Sequence, residues 1–190
     1  MRALEEKIIK EGVVLDGDIL KVGSFLNQQI DTAFLFEMAE EIAAIYAGCE
    51  ITKILTVEAS GIAVAVAAAH VMGLPLVFAK KNGAGNVSGE VYSSLVHSYT
   101  HNKDNYIVVP KDYMGKDDKF LVIDDFLANG KAFEGLIDII GQAGAEVVGC
   151  TAVIEKGYQG GGDALRAKGI RVESLAVIDE MSPAGIRFRK

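Results

Sequence analysis

Cysteine is scarce in this 190-residue chain, and the two that occur, Cys49 and Cys150, are a hundred residues apart with no CxxC or zinc-type spacing. That excludes a disulfide scaffold and a cysteine-based metal site, and reads as reduced thiols in or near a core, in the cytoplasm. Histidine is as scarce. His70, His97 and His101 show no metal-ligand spacing, and His70, on an alanine-rich stretch, reads as structural. Positive charge is outweighed, with 19 Lys and Arg against 26 Asp and Glu, a net charge of -7, which argues against nucleic acid or an anionic membrane as partner. There is no long apolar run. The longest such segment, Gly61 to Gly73, holds His70 and many alanines and is too short and too weakly apolar to span a bilayer. The charged N-terminus "MRALEEKIIKEG" does not have the form of a signal peptide. Internal repeats and low-complexity tracts are absent as well.

What remains is an ordinary globular composition, 50% hydrophobic and 24% charged, sized for one domain with a substantial core. Ala3 to Lys10 predicts a short amphipathic helix closed by Gly12. "VVLDGDILKVGSFLNQQID" alternates apolar and polar residues around Asp16-Gly17, a hairpin signal. Asp31 suits the cap of a helix to about Ala47, with Phe34, Met38, Ile42 and Ile45 on one face. From Ile51 the pattern becomes strand, helix, strand. "KILTV", "LPLVFAKK", "FLVIDD", "EVVGCTAVIEK" and "IRVESLAVI" read as strands, with helices over Ile62 to Met72 and about Gly130 to Gln142. This alternation predicts an α/β fold, a mainly parallel sheet with helices on both faces. Val91 to Val109 reads as a β-rich excursion, and Asn82 to Glu90, "NGAGNVSGE", as a mobile loop.

Ligands of parallel sheets collect beyond the carboxyl ends of strands, where loops enter helices. "FLVIDDFLANGKA", Phe120 to Ala132, is such a place, with two acids after an apolar run and then a small-residue turn. A helix start offers free N–H groups and a positive dipole end to a phosphate. Asp124 and Asp125 suit the hydroxyls of a ribose and favour a nearby Mg²⁺. Together they suit a ribose 5-phosphate. The plainer reading is that Asp125 and Asn129 form turns and cap the helix. A Walker loop is excluded, because Ala132 follows Gly130-Lys131 and position 125 is Asp, and "GAGNVSG" lacks dinucleotide-fingerprint spacing.

"FLVIDDFLANGKA" resembles the PRPP-binding signature of the type I phosphoribosyltransferases. "GVVLDGDILKVGSFLNQQID", "VEASGI", "VIEKGYQ" and "VESLAVI" extend the resemblance over almost the whole chain, toward the members that salvage xanthine. It implies the family's fold, with a small hood at about 12–30 over the base site and a mobile flap at about 82–105, and transfer of ribose 5-phosphate from PRPP to N9 of xanthine with Mg²⁺. It implies that Ala128, Asn129, Gly130, Lys131 and Ala132 wrap the 5-phosphate and that Asp124 and Asp125 hold the ribose hydroxyls.

Glu58, Ala59, Ser60 and Gly61 match the family's pyrophosphate loop, where the residues alone allow a capping turn on Ser60. Lys80 and Lys81 match cations that neutralise departing pyrophosphate, or form a solvated pair. Leu20, Asn27 and Lys156 match xanthine-contacting positions; alone, Leu20 reads as hairpin core and Lys156 as a surface cation. Phe126 can pack on the ring face. No general base is assigned, because position 128 is Ala where some relatives carry an acid. The resemblance further implies a homodimer. Two alternatives stay open: a transferase preferring guanine or hypoxanthine, and a non-catalytic PRPP sensor, which would need a nucleic-acid surface that this acidic chain does not advertise.

Overall fold

A computed structural model describes residues 1–16, 18–81, 89–98 and 103–190, without the side chains of 97, 98, 103 and 104. Residues 82–88 and 99–102, where much of the expected flap falls, and Gly17 lie outside the described residues.

Helix α1 (Arg2–Glu11) buries Leu4 and Ile8 on one face and stops at Gly12. Strands β1 (Val13–Leu15) and β2 (Ile19–Lys21) pair antiparallel with Val14 opposite Leu20, the expected hairpin. The alternation does not continue beyond it. Gly23–Asn27 forms a single π-helical turn, because Phe25 and Leu26 are neighbours in sequence and both buried, whereas a strand would send them to opposite faces. Asp31 caps α2 (Thr32–Ile45) by accepting the Phe34 N–H at 3.2 Å, and Phe34, Met38 and Ile42 line its buried face.

The remaining elements build one sheet. In chain order they are β3 (Lys53–Val57), α3 (Gly61–Met72), β4 (Leu76–Lys81), β5 (Val91–Ser98), β6 (Lys103–Pro110), β7 (Lys119–Leu127), α4 (Lys131–Gln142), β8 (Glu146–Lys156), α5 (Gly161–Ala167), β9 (Val172–Ser182) and β10 (Gly185–Phe188). The strand order is β10-β9-β8-β7-β3-β4-β6-β5. The five strands from β9 to β4 run parallel; β10 at one edge and the β5–β6 ribbon at the other are antiparallel. Apolar residues on both faces of the parallel strands require cover on both sides. Leu121 and Ile123 of β7 pack with α1, α2 and α3, and Phe120 and Val122 pack with α4 and α5. The sheet therefore has helices on both faces, as expected.

Two elements are not legible in the composition. Helix α5 hides in "GYQGGGDALRAKG" because glycine signals a loop. Its glycines answer to close packing: a Cβ on Gly161 would lie 2.3 Å from the Ala128 carbonyl oxygen, and one on Gly162 2.1 Å from Glu155 Oε1. Glu155 is fully buried and takes both arms of the Arg166 guanidinium, at 2.9 and 2.8 Å, with Ser174 Oγ at 2.6 Å. That bidentate pair fastens α5 to β8. Strand β10 is carried by the alternation Ile186, Arg187, Phe188, Arg189.

Candidate active site

The acid pair does not follow β7 but lies within it, since the strand runs on to Leu127. Pairing with β8 continues from Asp124 opposite Ala152 to Leu127 opposite Glu155, so the carboxylates are held by a paired strand and not by a turn. Each aspartate is 6% exposed. The Asp125 N–H donates to Asp124 Oδ1 at 2.9 Å. Burial first, then the neighbouring Asp125, holds the Asp124 carboxyl well above the usual carboxylate range, while the Lys81 charge pulls the other way. Asn27, from the π-helical turn, reaches across with Nδ2 3.4 Å from Asp125 Oδ2.

The plain capping reading fails at Asp125. Gly130, with φ +83°, is the N-cap of α4, and no side chain caps that position. It survives in part at Asn129, whose Oδ1 accepts the Lys131 N–H at 3.1 Å. Lys131 Nζ pairs with Glu134 at 2.7 Å. The turn from Ala128 to Gly130 is backed by α5, whose Gly161 N–H donates to the Ala128 carbonyl at 3.2 Å. Residues 128–132 thus form a backbone turn braced by α5 at a helix start, where free N–H groups suit an anion.

At the end of β3, Glu58 and Ala59 are joined by a cis peptide bond. Ser60 stands at the N-cap of α3 but makes no capping hydrogen bond, so its capping role is not realised, and Ala59 and Ser60 are exposed. Glu58 Oε1 accepts the Lys81 N–H at 2.7 Å, tying this loop to the end of β4. Lys80 is half-buried and Lys81 exposed. Gly61 is fixed by its neighbours: a Cβ there would lie 2.3 Å from Asp124 Oδ1 and 2.5 Å from Thr56 Oγ1.

At the hood end, Lys156 closes β8, donates to the Asp18 backbone carbonyl at 2.5 Å and lies 5.8 Å from the centroid of the Phe126 ring. Burial pulls its pKa down, partly offset by the Asp18 charge. Asp18 itself has a φ of +62°. Leu20 is 7% exposed and belongs to the core cluster, close to Gly12. An open cleft of about 390 Å³ joins the hood to the 58–61 loop, with Asn27, Ile30, Ala59 and Ser60 in its walls. Most of the expected residues fall into two groups. Asn27, the acid pair, Gly61 and the loop ending β3 meet at one place, and Phe126 and Lys156 meet under the tip of the β1–β2 hairpin; Leu20 packs in the core, as its plain reading had it. Sequence reasoning missed Thr56 and Gly161; only the triple glycine at 160–162 hinted at the latter.

Among the described residues no group of three or more His, Cys, Asp or Glu is placed to hold a metal. His70 is exposed and meets the Phe36 ring edge-on at 5.7 Å. His101 and the His97 side chain lie outside the described residues.

A parallel sheet with its strand-end loops gathered around buried acids defines a class. Residues 27–175 match the phosphoribosyl transferase domain family, and the chain belongs to that family. Its relatives narrow the class. It is 50% identical over 184 residues, 96% of this chain and 95% of the other, to the xanthine phosphoribosyltransferase of Bifidobacterium longum subsp. infantis. It is 49% identical over 190 residues, the whole of both chains, to xanthine phosphoribosyltransferase 2 of Clostridium botulinum. Among solved structures, adenine phosphoribosyltransferase from Leishmania tarentolae superposes with a TM-score of 0.77 at 19% identity, covering 96% of this chain and 90% of that one. At that identity the likeness speaks to the fold, which is the expected type I phosphoribosyltransferase fold.

Proposed function

We propose that this chain transfers the 5-phosphoribosyl group of PRPP to N9 of xanthine, giving XMP and pyrophosphate, as a step of purine salvage. The observation that carries the reading is the acid pair. Asp124 and Asp125 are buried side by side next to a glycine-led helix start with no side-chain cap, an arrangement costly to the free protein and suited to a ligand with a diol beside a phosphate. The choice of xanthine draws on the full-length relatives that bear its name and on a cation, Lys156, at the hood.

In this reading the backbone amides of Ala128, Asn129, Gly130, Lys131 and Ala132 hold the 5-phosphate, and the two carboxylates accept from the ribose 2- and 3-hydroxyls. The amides of Glu58, Ala59, Ser60 and Gly61 receive the pyrophosphate, with Lys80 and Lys81 balancing its charge as it leaves. Lys156 donates to a ring carbonyl, Asn27 offers its amide to the purine edge, and Phe126 and Leu20 supply apolar contact. No protein atom is assigned as a direct ligand of Mg²⁺; the acid pair favours the ion nearby, where it would keep water and substrate oxygens around it. When bound, the ion would neutralise charge on the diphosphate. The transition state is oxocarbenium-like, so the protein's part is chiefly to align C1 with N9 and to stabilise the leaving group. We also infer a cytoplasmic homodimer. Support for a second subunit comes from apolar side chains left in solvent on neighbouring helices, Phe36 at 41% and Val66 at 52% exposed.

The test offers the protein PRPP and Mg²⁺ with xanthine, hypoxanthine, guanine or adenine, and identifies the nucleotide by chromatography. XMP formed much faster than IMP, GMP or AMP is the expected result. A preference for another base refutes the roles of Leu20, Asn27 and Lys156, and no product from any base refutes the transferase.

A further inference from the structure

Five polar or charged side chains are buried among the described residues: Thr56, Asp124, Asp125, Thr151 and Glu155. Four have partners. Thr151 donates to Tyr46 Oη, Glu155 is held by Arg166 and Ser174, Asp124 accepts the Asp125 N–H and Asp125 meets Asn27. The fifth has none: Thr56 Oγ1 is the one buried side-chain polar atom among the described residues without a hydrogen-bond partner. A buried orphan hydroxyl destabilises a fold, and valine would fill the same space without one.

Its position says what it is for. Thr56 is completely buried at the penultimate position of β3, with only Val57 between it and the 58–61 loop. Its hydroxyl oxygen and Asp124 Oδ1 flank one point, 2.5 and 2.3 Å from where a Cβ on Gly61 would sit. Any side chain at 61 would separate them. A hydroxyl brings one donor that rotates freely, and a carboxylate oxygen that already accepts one N–H keeps capacity for another. Donor and acceptor thus face the same small space with no bond between them.

We infer that Thr56 is a positioning residue for the transfer reaction proposed above: in the PRPP complex its hydroxyl donates to Oδ1 of Asp124 and fixes that carboxylate toward the ribose. The inference rests on the acid pair being the ribose site. Thr56 touches no substrate; it sets the rotamer of a residue that does. Glycine at 61 is the opening through which the two oxygens meet.

The experiment measures PRPP affinity calorimetrically in the presence of Mg²⁺, and Tm without ligand, for the wild type, Thr56→Val and Thr56→Ser. Valine should bind PRPP about tenfold more weakly, the upper end of what one hydrogen bond contributes, while its Tm holds or rises because the orphan is gone. Serine, which keeps the hydroxyl, should bind as the wild type does. Wild-type affinity in the valine variant overturns the inference, as it would for a hydroxyl satisfied by trapped water. Equal losses in both variants also overturn it, because packing of the methyl group would then be the cause. If the valine variant does not fold, Thr56→Cys, whose thiol donates weakly, must show the same loss. A wild type that binds PRPP but makes no XMP refutes the proposed base and leaves this test intact; one that binds no PRPP overturns both.

Discussion

Replacing Gly161 with alanine should damage PRPP use from a residue that meets no substrate. The added Cβ would lie 2.3 Å from the Ala128 carbonyl oxygen, 2.4 Å from the Asn129 carbonyl carbon and 2.4 Å from the Gly130 nitrogen. Carbon atoms in good contact stand about 3.5–4.0 Å apart, so the turn or α5 must give by roughly 1 Å. All three atoms are backbone, and no rotamer change relieves them. Helix α5 cannot retreat freely either, because Arg166 is clamped to the buried Glu155. The 128–132 turn would have to move. A misplacement of about 1 Å can cost on the order of 10²-fold in rate, so KM for PRPP should rise by roughly 10- to 100-fold while KM for the base changes much less. Overpacking costs typically about 1–3 kcal/mol, and Tm should fall by roughly 2–4 °C for each of them. The control is Gly141→Ala near the end of α4, where a Cβ meets nothing within 4 Å. It should keep both KM values and gain about 0.5–1 kcal/mol. Initial rates with each substrate varied, beside thermal melts, decide the matter. A folded Gly161→Ala protein with wild-type KM for PRPP would show that the 128–132 turn does not seat the phosphate.

Lys156→Ala should raise KM for the base by about 10- to 100-fold, the worth of a charged hydrogen bond, and leave the PRPP dissociation constant alone; a shift in PRPP binding instead would place Lys156 at the wrong substrate. Asp124→Asn should abolish transfer and change the pH dependence of stability. The folded Asp124 carboxyl holds its proton above the ordinary range, so its contribution is complete below about pH 4, the unfolded value, and is lost as pH rises through the folded pKa. The variant should therefore gain on the wild type above pH 4, by at most about 1.4 kcal/mol per pH unit. Urea melts at pH 5 and pH 8 check this, and a gap that stays constant between them would show that Asp124 ionises as freely in the fold as outside it.

Much of the local geometry around the acid pair could be read from the sequence because local chemistry decides it. An apolar run ending in Asp124 and Asp125, a glycine at 130 and a helical period after it leave few alternatives, and the hairpin before Asn27 has an ordinary turn signal. What escaped reading was set by distant neighbours. The extension of β7 through the acids depends on pairing with β8. The turn at Gly23–Asn27 depends on two adjacent side chains both finding core. Helix α5 contains glycines because the Ala128 turn and Glu155 stand where side chains would go. Thr56 in "KILTV" looks like any β-branched strand residue, and only its place opposite Asp124, across Gly61, sets it apart.

The Lys156 ammonium group is already engaged by the Asp18 carbonyl of the hood tip. If a purine enters there as proposed, it meets an ammonium with one of its three N–H groups already committed and the others still to give. The tie to Asp18 holds that group in place before the base arrives, so part of the ordering cost of the contact is met in the free protein. A ring that presents an amine at that point offers no acceptor to the donors that are left.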